Sequence, residues 1–328
     1  MQRQDRFRGC LLGLAVGDAI GTTVEFRPRG SFTPLTDMVG GGPFHLRAGQ
    51  WTDDTSMALC LATSLAECNG FDAHDQMRRY CKWAETGYLS STGTCFDIGS
   101  TTTSALRRFR QTGNPFAGSS DPRLAGNGCI MRLAPIPMFF FPDLQAAERF
   151  AAESSRVTHG AAECLDACRL LARIICRALS GSSKDEVALG DSQTFVGAEK
   201  IVAIARGAYC QKPEDEIRGS GYVVDSLEAA MWCFVRSHSF EEAVLMAANL
   251  GDDADTTAAV CGQVAGAYYG VQGIPVAWLE RLALHLEITE LADRLYSASK
   301  KRAAYRYVAS PDSLWVMRRD PISSTLYS

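Results

Sequence analysis

No stretch of this sequence is apolar for the ~20 residues that a bilayer-spanning helix needs. The most apolar run, Cys10-Leu-Leu-Gly-Leu-Ala-Val16, is far shorter. Nor does Met1-Gln-Arg-Gln-Asp-Arg-Phe-Arg8 carry the long apolar segment and cleavage site of a secretory leader, so a cytoplasmic protein without a membrane span is expected. Massed basic charge is missing as well. The 33 Lys and Arg residues are scattered and the net charge is −4, which gives neither a nucleic-acid footprint nor a polybasic membrane patch. The 12 cysteines include no C-x-x-C pair, and the five histidines (His45, His74, His159, His238, His285) are isolated from one another and from cysteine pairs, so zinc has little support. Cysteines such as Cys60, Cys176 and Cys261 read instead as small core residues in a reducing compartment. Strand-like alternation is scarce, and with 46% apolar residues the chain reads as all-α with a large core.

What is present is oxygen chemistry. Gly251-Asp252-Asp253-Ala254-Asp255-Thr256-Thr257 sets three carboxylates and two hydroxyls in front of a small-residue apolar helix. Far upstream, Trp51-Thr52-Asp53-Asp54-Thr55-Ser56 repeats the composition ahead of Met57–Ala66. Either stretch alone reads as a helix start, because Asp and Thr cap free N–H groups and acids favour the positive end of the dipole. Capping leaves the density of carboxylates unexplained. Adjacent anions repel unless a cation sits among them, and a donor set without His or Cys suits Mg²⁺, Mn²⁺ or Ca²⁺.

In chain order, residues 5–20 have helical spacing with Gly9, Gly13, Gly17 and Gly21 on one face, which implies close packing against another helix; Asp18 adds a carboxylate at the end of that helix. Residues 27–50 read as a long irregular loop. Helices are expected near 74–88, 144–155, 161–179, 222–235, 240–250 and 258–269, with 180–193 as the best internal linker. Asp97, in a glycine- and hydroxyl-rich stretch, either caps the helix running to Leu106 or has a functional role. Gly126-Asn127-Gly128 stands before an expected helix start and offers free N–H groups of the kind that cradle phosphate, although taken alone the stretch reads more readily as a plain turn.

The order Gly17-Asp18-x-x-Gly21-x-x-x-Glu25, Trp51-Thr52-Asp53-Asp54, Asn127-Gly128-x-x-Met131-Arg132-x-Ala134-Pro135, His159-Gly160, Gly221-Tyr222 and Gly251-Asp252-Asp253-Ala254-Asp255-Thr256 resembles the ADP-ribosylglycohydrolase family, nearest its dinitrogenase-reductase-activating, arginine-specific branch. The resemblance implies a single-domain orthogonal helical bundle over residues 1–298, with a basic tail over 299–328 that matches nothing in the family. It implies two Mg²⁺ or Mn²⁺ ions in a central cleft, held by Thr52, Asp53, Asp54, Asp253, Asp255 and Thr256. Asp97, Glu25, Asp54 and Asp253 would be catalytic; Asn127, Gly128, Cys129, Met131, His159, Gly221 and Tyr222 would bind ADP-ribose. One departure is Asp252, where the family often has glycine. The implied activity is removal of ADP-ribose from modified arginine on a protein substrate, the alternatives being a serine linkage or O-acetyl-ADP-ribose. Two further readings stand beside it: a phosphatase, since Asp253-Ala-Asp255-Thr256-Thr257 fits D-x-D-x-T, and a non-catalytic ADP-ribose binder.

Overall fold

The computed structural model describes residues 1–309. Among the described residues fourteen α-helices follow one another and the only β pairing is three isolated bridges. They are α1 (Arg3–Gly21), α2 (Asp53–Cys68), α3 (Ala73–Thr86), α4 (Ser100–Thr112), α5 (Pro135–Phe140), α6 (Leu144–Arg156) and α7 (Ala162–Ser180). Next come α8 (Lys184–Leu189), α9 (Glu199–Ala205), α10 (Val223–Arg236), α11 (Phe240–Ala248), α12 (Ala254–Tyr269), α13 (Val276–Arg281) and α14 (His285–Ala309). None of the helices is long and apolar enough to cross a membrane.

The central pair is α1 and α12, both buried along most of their length. The glycine stripe explains how they meet. A Cβ built on Gly9, Gly13, Gly17 or Gly21 would fall inside contact distance of the carbonyl oxygen of Gly266, Gly262, Ala258 or Ala254 respectively. One series rises as the other falls, so the helices run antiparallel with backbones touching. The C-terminal end of α1, carrying Asp18, is thereby delivered to the N-terminal end of α12, carrying Asp255. Gly13→Ala would press a methyl group on the Gly262 carbonyl and against Phe240. Overpacking of this kind costs about 1–3 kcal/mol, so the urea midpoint of Gly13→Ala is expected to fall with an unchanged slope.

Around this pair lies one large apolar core, drawing on α5, α7, α10, α11 and α14. A smaller cluster (Met57, Tyr80, Trp83, Leu106, Met131 and neighbours) joins α2 to α3 and α4. Helix α2 contributes to both, with Leu59 and Leu61 on one side and Met57 and Cys60 on the other. The segment 180–193 is no linker: Ser183 and Glu186 form a reciprocal capping box that starts α8, and Val187 and Ala188 join the core. Helix α14 passes residue 298 without a break. Most of the tail expected over 299–328, with Pro311, Trp315 and Pro321, lies outside the described residues.

Candidate metal centre and cleft

The first turns of α2 and α12 decide between cap and site. Thr52 and Asp253 occupy the two N-cap positions, yet neither side chain caps its own helix. At α2 the cap comes from another helix: fully buried Asp18 accepts the Thr52 and Thr55 N–H groups at 2.9 and 3.0 Å, and their hydroxyls at 2.9 and 2.6 Å. The Thr52 Oγ1 also lies 3.2 Å from Asp255 Oδ2. Having one proton for two carboxylates, it leaves at least one acid oxygen wanting a cation. Across the same junction Thr256 Oγ1 approaches Asp54 Oδ1 at 3.4 Å, and the Asn127 amide donates to Asp253 Oδ2 at 2.9 Å. The two acidic stretches therefore face each other, tied by α1.

A cleft of about 560 Å³ opens over this junction, lined by Glu25, Asp53, Asp54, Asp97, Asp253 and Asp255 among others. Among the described residues no lysine or arginine lines it. Carboxylate oxygens of Glu25, Asp97 and Asp255 lie within 4.8 Å of one another. Burial, then repulsion from Asp97, Asp253 and Asp18, pushes Glu25 up to about 9. Burial, then Asp18 and Asp253, pushes Asp97 up to about 8. Burial and neighbouring acids raise Asp53, Asp54 and Asp255 well above the usual range, whereas Asp18, rewarded by its four hydrogen bonds, rises only to about 6. Asp54 Oδ2 is buried with no hydrogen-bond partner. An all-oxygen, net-negative donor set with an orphaned carboxylate oxygen fits hard divalent cations.

The raised values have a consequence for stability. Unfolded, these acids titrate near 3.8 for Asp and 4.5 for Glu. Between there and their folded values the metal-free native state binds more protons than the unfolded chain, so its stability is lost as pH rises. The melting temperature of metal-free protein is therefore expected to fall between about pH 5 and 9, and saturating Mn²⁺ to remove most of that slope by replacing the protons as counter-charge.

The remaining wall is the Gly126–Met131 loop. Buried Arg132 donates to the Gly128 carbonyl and, at 2.6 Å, to Thr158 Oγ1; Gln263 of α12 donates to the Ile130 and Met131 carbonyls at 3.0 and 2.8 Å. The His159 ring packs against Gly128 so closely that a Cβ there would lie 2.8 Å from its Cε1. Burial holds His159 down to about 4, so the imidazole is neutral at pH 7.

Among the expected nucleotide contacts, Asn127, Gly128, Met131 and His159 line the cleft, whereas Cys129, Gly221 and Tyr222 do not. The Asn127 N–H is not free: it donates to the Gly221 carbonyl at 3.0 Å, because this stretch is a turn and helix α5 begins only at Pro135. The Tyr222 hydroxyl lies 2.5 Å from Glu163 Oε2 and 2.9 Å from Lys200 Nζ, which also covers one ring face. Asp97 does not cap α4, whose N-cap is Gly99; it sits at φ 59° in a loop reaching into the cleft. Asp252 is exposed at φ 55°, the backbone region in which glycine has no steric penalty, and this acid is not part of the cleft wall. Asp18 and Arg132 are the residues the sequence did not single out as site residues; the Gly17-Asp18 pairing at a helix end was the available signal. The D-x-D-x-T reading falls, since α11 and a turn, not a strand, precede Asp253.

Comparison with known proteins agrees with this geometry. The family model described as ADP-ribosylglycohydrolase matches residues 1–304. The chain is 46% identical over 295 residues to "ADP-ribosylarginine hydrolase Tri1" of Pseudomonas putida (strain GB-1), covering 90% of this chain and 79% of that protein. It is 32% identical to "ADP-ribosyl-[dinitrogen reductase] glycohydrolase" of Rhodospirillum rubrum, covering 86% and 92%. A solved structure described as "ADP-ribosylglycohydrolase-related protein complex" superposes with a TM-score of 0.81 at 44% identity, covering 91% of this chain and 99% of that one. Matched over almost all its described length by the family and along most of each relative, this chain belongs to the ADP-ribosylglycohydrolase family.

Proposed function

We propose that this protein removes ADP-ribose from modified arginine on a protein substrate by hydrolysing the N-glycosidic bond at ribose C1, with two Mg²⁺ or Mn²⁺ ions in the cleft. The observation that carries the reading is six carboxylates around one cleft, with no lysine or arginine among the described residues that line it. Thr52, Asp53, Asp54, Asp253, Asp255 and Thr256 would hold the ions. Bound there, the cations supply Lewis acidity toward the ribose diol and the attacking water.

The chain's own residues then have separable tasks. Asp97 accepts the guanidinium N–H donors and orients the leaving group. As the C1–N bond lengthens, positive charge builds on the sugar, and the carboxylates of Asp97 and Asp253 face it. Glu25 takes the proton from the attacking water at its Oε and passes it to the departing guanidine, so water ends as the C1 hydroxyl and an N–H. Gly128 would offer its N–H group to the phosphates, and neutral His159, which also lines the cleft, packs against that loop. The hydrolase domain is placed at residues 1–298.

For the adenine we propose Tyr222, next to Gly221, where a Cβ would sit 3.3 Å from Asp253 Oδ2. Loss of a stacking partner costs about 1–3 kcal/mol. Tyr222→Ala should thus weaken ADP-ribose binding by about tenfold with Mn²⁺ affinity intact; an unchanged dissociation constant would remove Tyr222 from the site. The proposal as a whole is tested by nucleotide release from arginine-linked peptide with Mn²⁺ and with a chelator. Release that persists after chelation contradicts it, as does preference for O-acetyl-ADP-ribose.

A further inference from the structure

Beside the cleft lie three aromatic rings that neither the core nor the chemistry above uses. Phe26 and Phe44 meet edge to face with centroids 6.4 Å apart, and Phe44 and Phe96 lie 5.3 Å apart. They come from three separate loops, and two of them adjoin cleft carboxylates: Phe26 follows Glu25, and Phe96 precedes Asp97.

Phe26 is 65% exposed and sits at φ 62°, a left-handed conformation that costs a bulky residue about 1–2 kcal/mol. Packing gives little in return. The conformation is held from outside, by the Phe26 N–H on the Asp252 carbonyl at 2.7 Å and the Asp252 N–H on the Arg27 carbonyl at 2.8 Å. The loop of Phe44 is equally fixed: Gly41 and Leu46 exchange both backbone hydrogen bonds, at 2.7 and 2.9 Å, and Gly42 abuts the Thr22 carbonyl. Phe26 and Phe44 stand on braced backbone, Phe26 exposed and Phe44 and Phe96 half-buried, continuous with a cleft that Phe26 and Ile98 themselves line.

The electrostatics of the place select its occupant. Ring faces are electronegative and the adjoining cleft wall is carboxylate, so acidic ligands are repelled while cationic and aliphatic side chains are favoured. We infer that Phe26, Phe44 and Phe96 form a collar for the polypeptide on the leaving-group side of the scissile bond, packing the stem of the modified arginine and its basic or aliphatic neighbours. This rests on the proposed function and extends it from the bond that is cut to the protein segment that carries it.

The test compares an arginine-linked ADP-ribosyl peptide with lysine and leucine neighbours against free ADP-ribosyl-arginine. In Phe44→Ala, kcat/KM for the peptide is expected to fall by about tenfold, mainly through KM, while free ADP-ribosyl-arginine stays within about twofold. Phe44→Tyr should restore the peptide value, Phe44→Leu should not, and an unchanged melting temperature with Mn²⁺ shows that each variant is folded. Glutamate neighbours in the peptide should abolish the difference between wild type and variant. Equal losses on both substrates would overturn the collar, and weaker binding of free ADP-ribose by Phe44→Ala would assign the rings to adenine instead. Should the wild type cleave neither substrate, the functional reading fails by itself; anisotropy of a labelled uncleaved peptide still decides the collar, because it requires tighter binding by wild type than by Phe44→Ala.

Discussion

Asp255→Ala is expected to lower hydrolysis by about a thousandfold, in line with the several kcal/mol a catalytic cation supplies, and at the same time to make the metal-free protein no less stable than the wild type. The combination follows from the geometry. Asp255 is buried, repelled by Glu25, Asp54 and Asp253, and within 3.2 Å of a Thr52 hydroxyl that also serves Asp18. Without cations, burial and the neighbouring acids oppose its ionisation, and deletion removes that strain as pH rises. On the proposed reading the same carboxylate would hold the cations, and no neighbour would replace it without moving. Melting curves should therefore cross: Mn²⁺ raises the wild type by several degrees and leaves Asp255→Ala nearly where it was. A variant that is inactive because it is unfolded would melt lower under both conditions.

The second large effect concerns the bond that is cut. Asp97→Asn is expected to lower kcat/KM on arginine-linked substrate by about 10- to 100-fold, since on the proposed reading it would remove a charge-assisted contact of about 1.5–3 kcal/mol to the guanidinium. The structure makes this substitution unusually clean. Asp97 caps no helix, so no capping energy is lost, and its backbone at φ 59° accommodates asparagine as well as aspartate. Stability, Mn²⁺ affinity and free ADP-ribose binding should hardly change. Wild type should hardly release ADP-ribose from serine-linked peptide, whose ether oxygen gives the carboxylate no positive charge to hold. Efficient serine-linked cleavage by the wild type would overturn the assignment of Asp97.

The sequence was most legible where local pattern and tertiary packing agree. The glycines of α1 announced a close helix contact because only a bare face permits one, and the longer helices α3, α6, α7, α10, α11 and α12 were expected close to where they lie. The acidic stretches were ambiguous because Thr and Asp before an apolar run are also capping residues. What resolves them is non-local: Asp18, from a helix 34 residues upstream of Thr52, does the capping and frees Thr52 for the cluster. No spacing rule encodes that. The Asn127 N–H was misread as free for the same reason, its acceptor being Gly221 on a distant turn. Helix α8 was missed because its six residues are too few to show a helical period and its start is set by a capping box in a segment that otherwise reads as linker.

The measurement that bears most directly on the central claim, one cation site shared by two stretches some 200 residues apart, is calorimetric titration of Mn²⁺ into wild type, Asp53→Ala and Asp255→Ala, each confirmed as folded. The shared site requires that both variants lose most of the binding heat seen for wild type, although their substitutions lie in different helices. Mn²⁺ binding that stays at the wild-type level in both variants would contradict it.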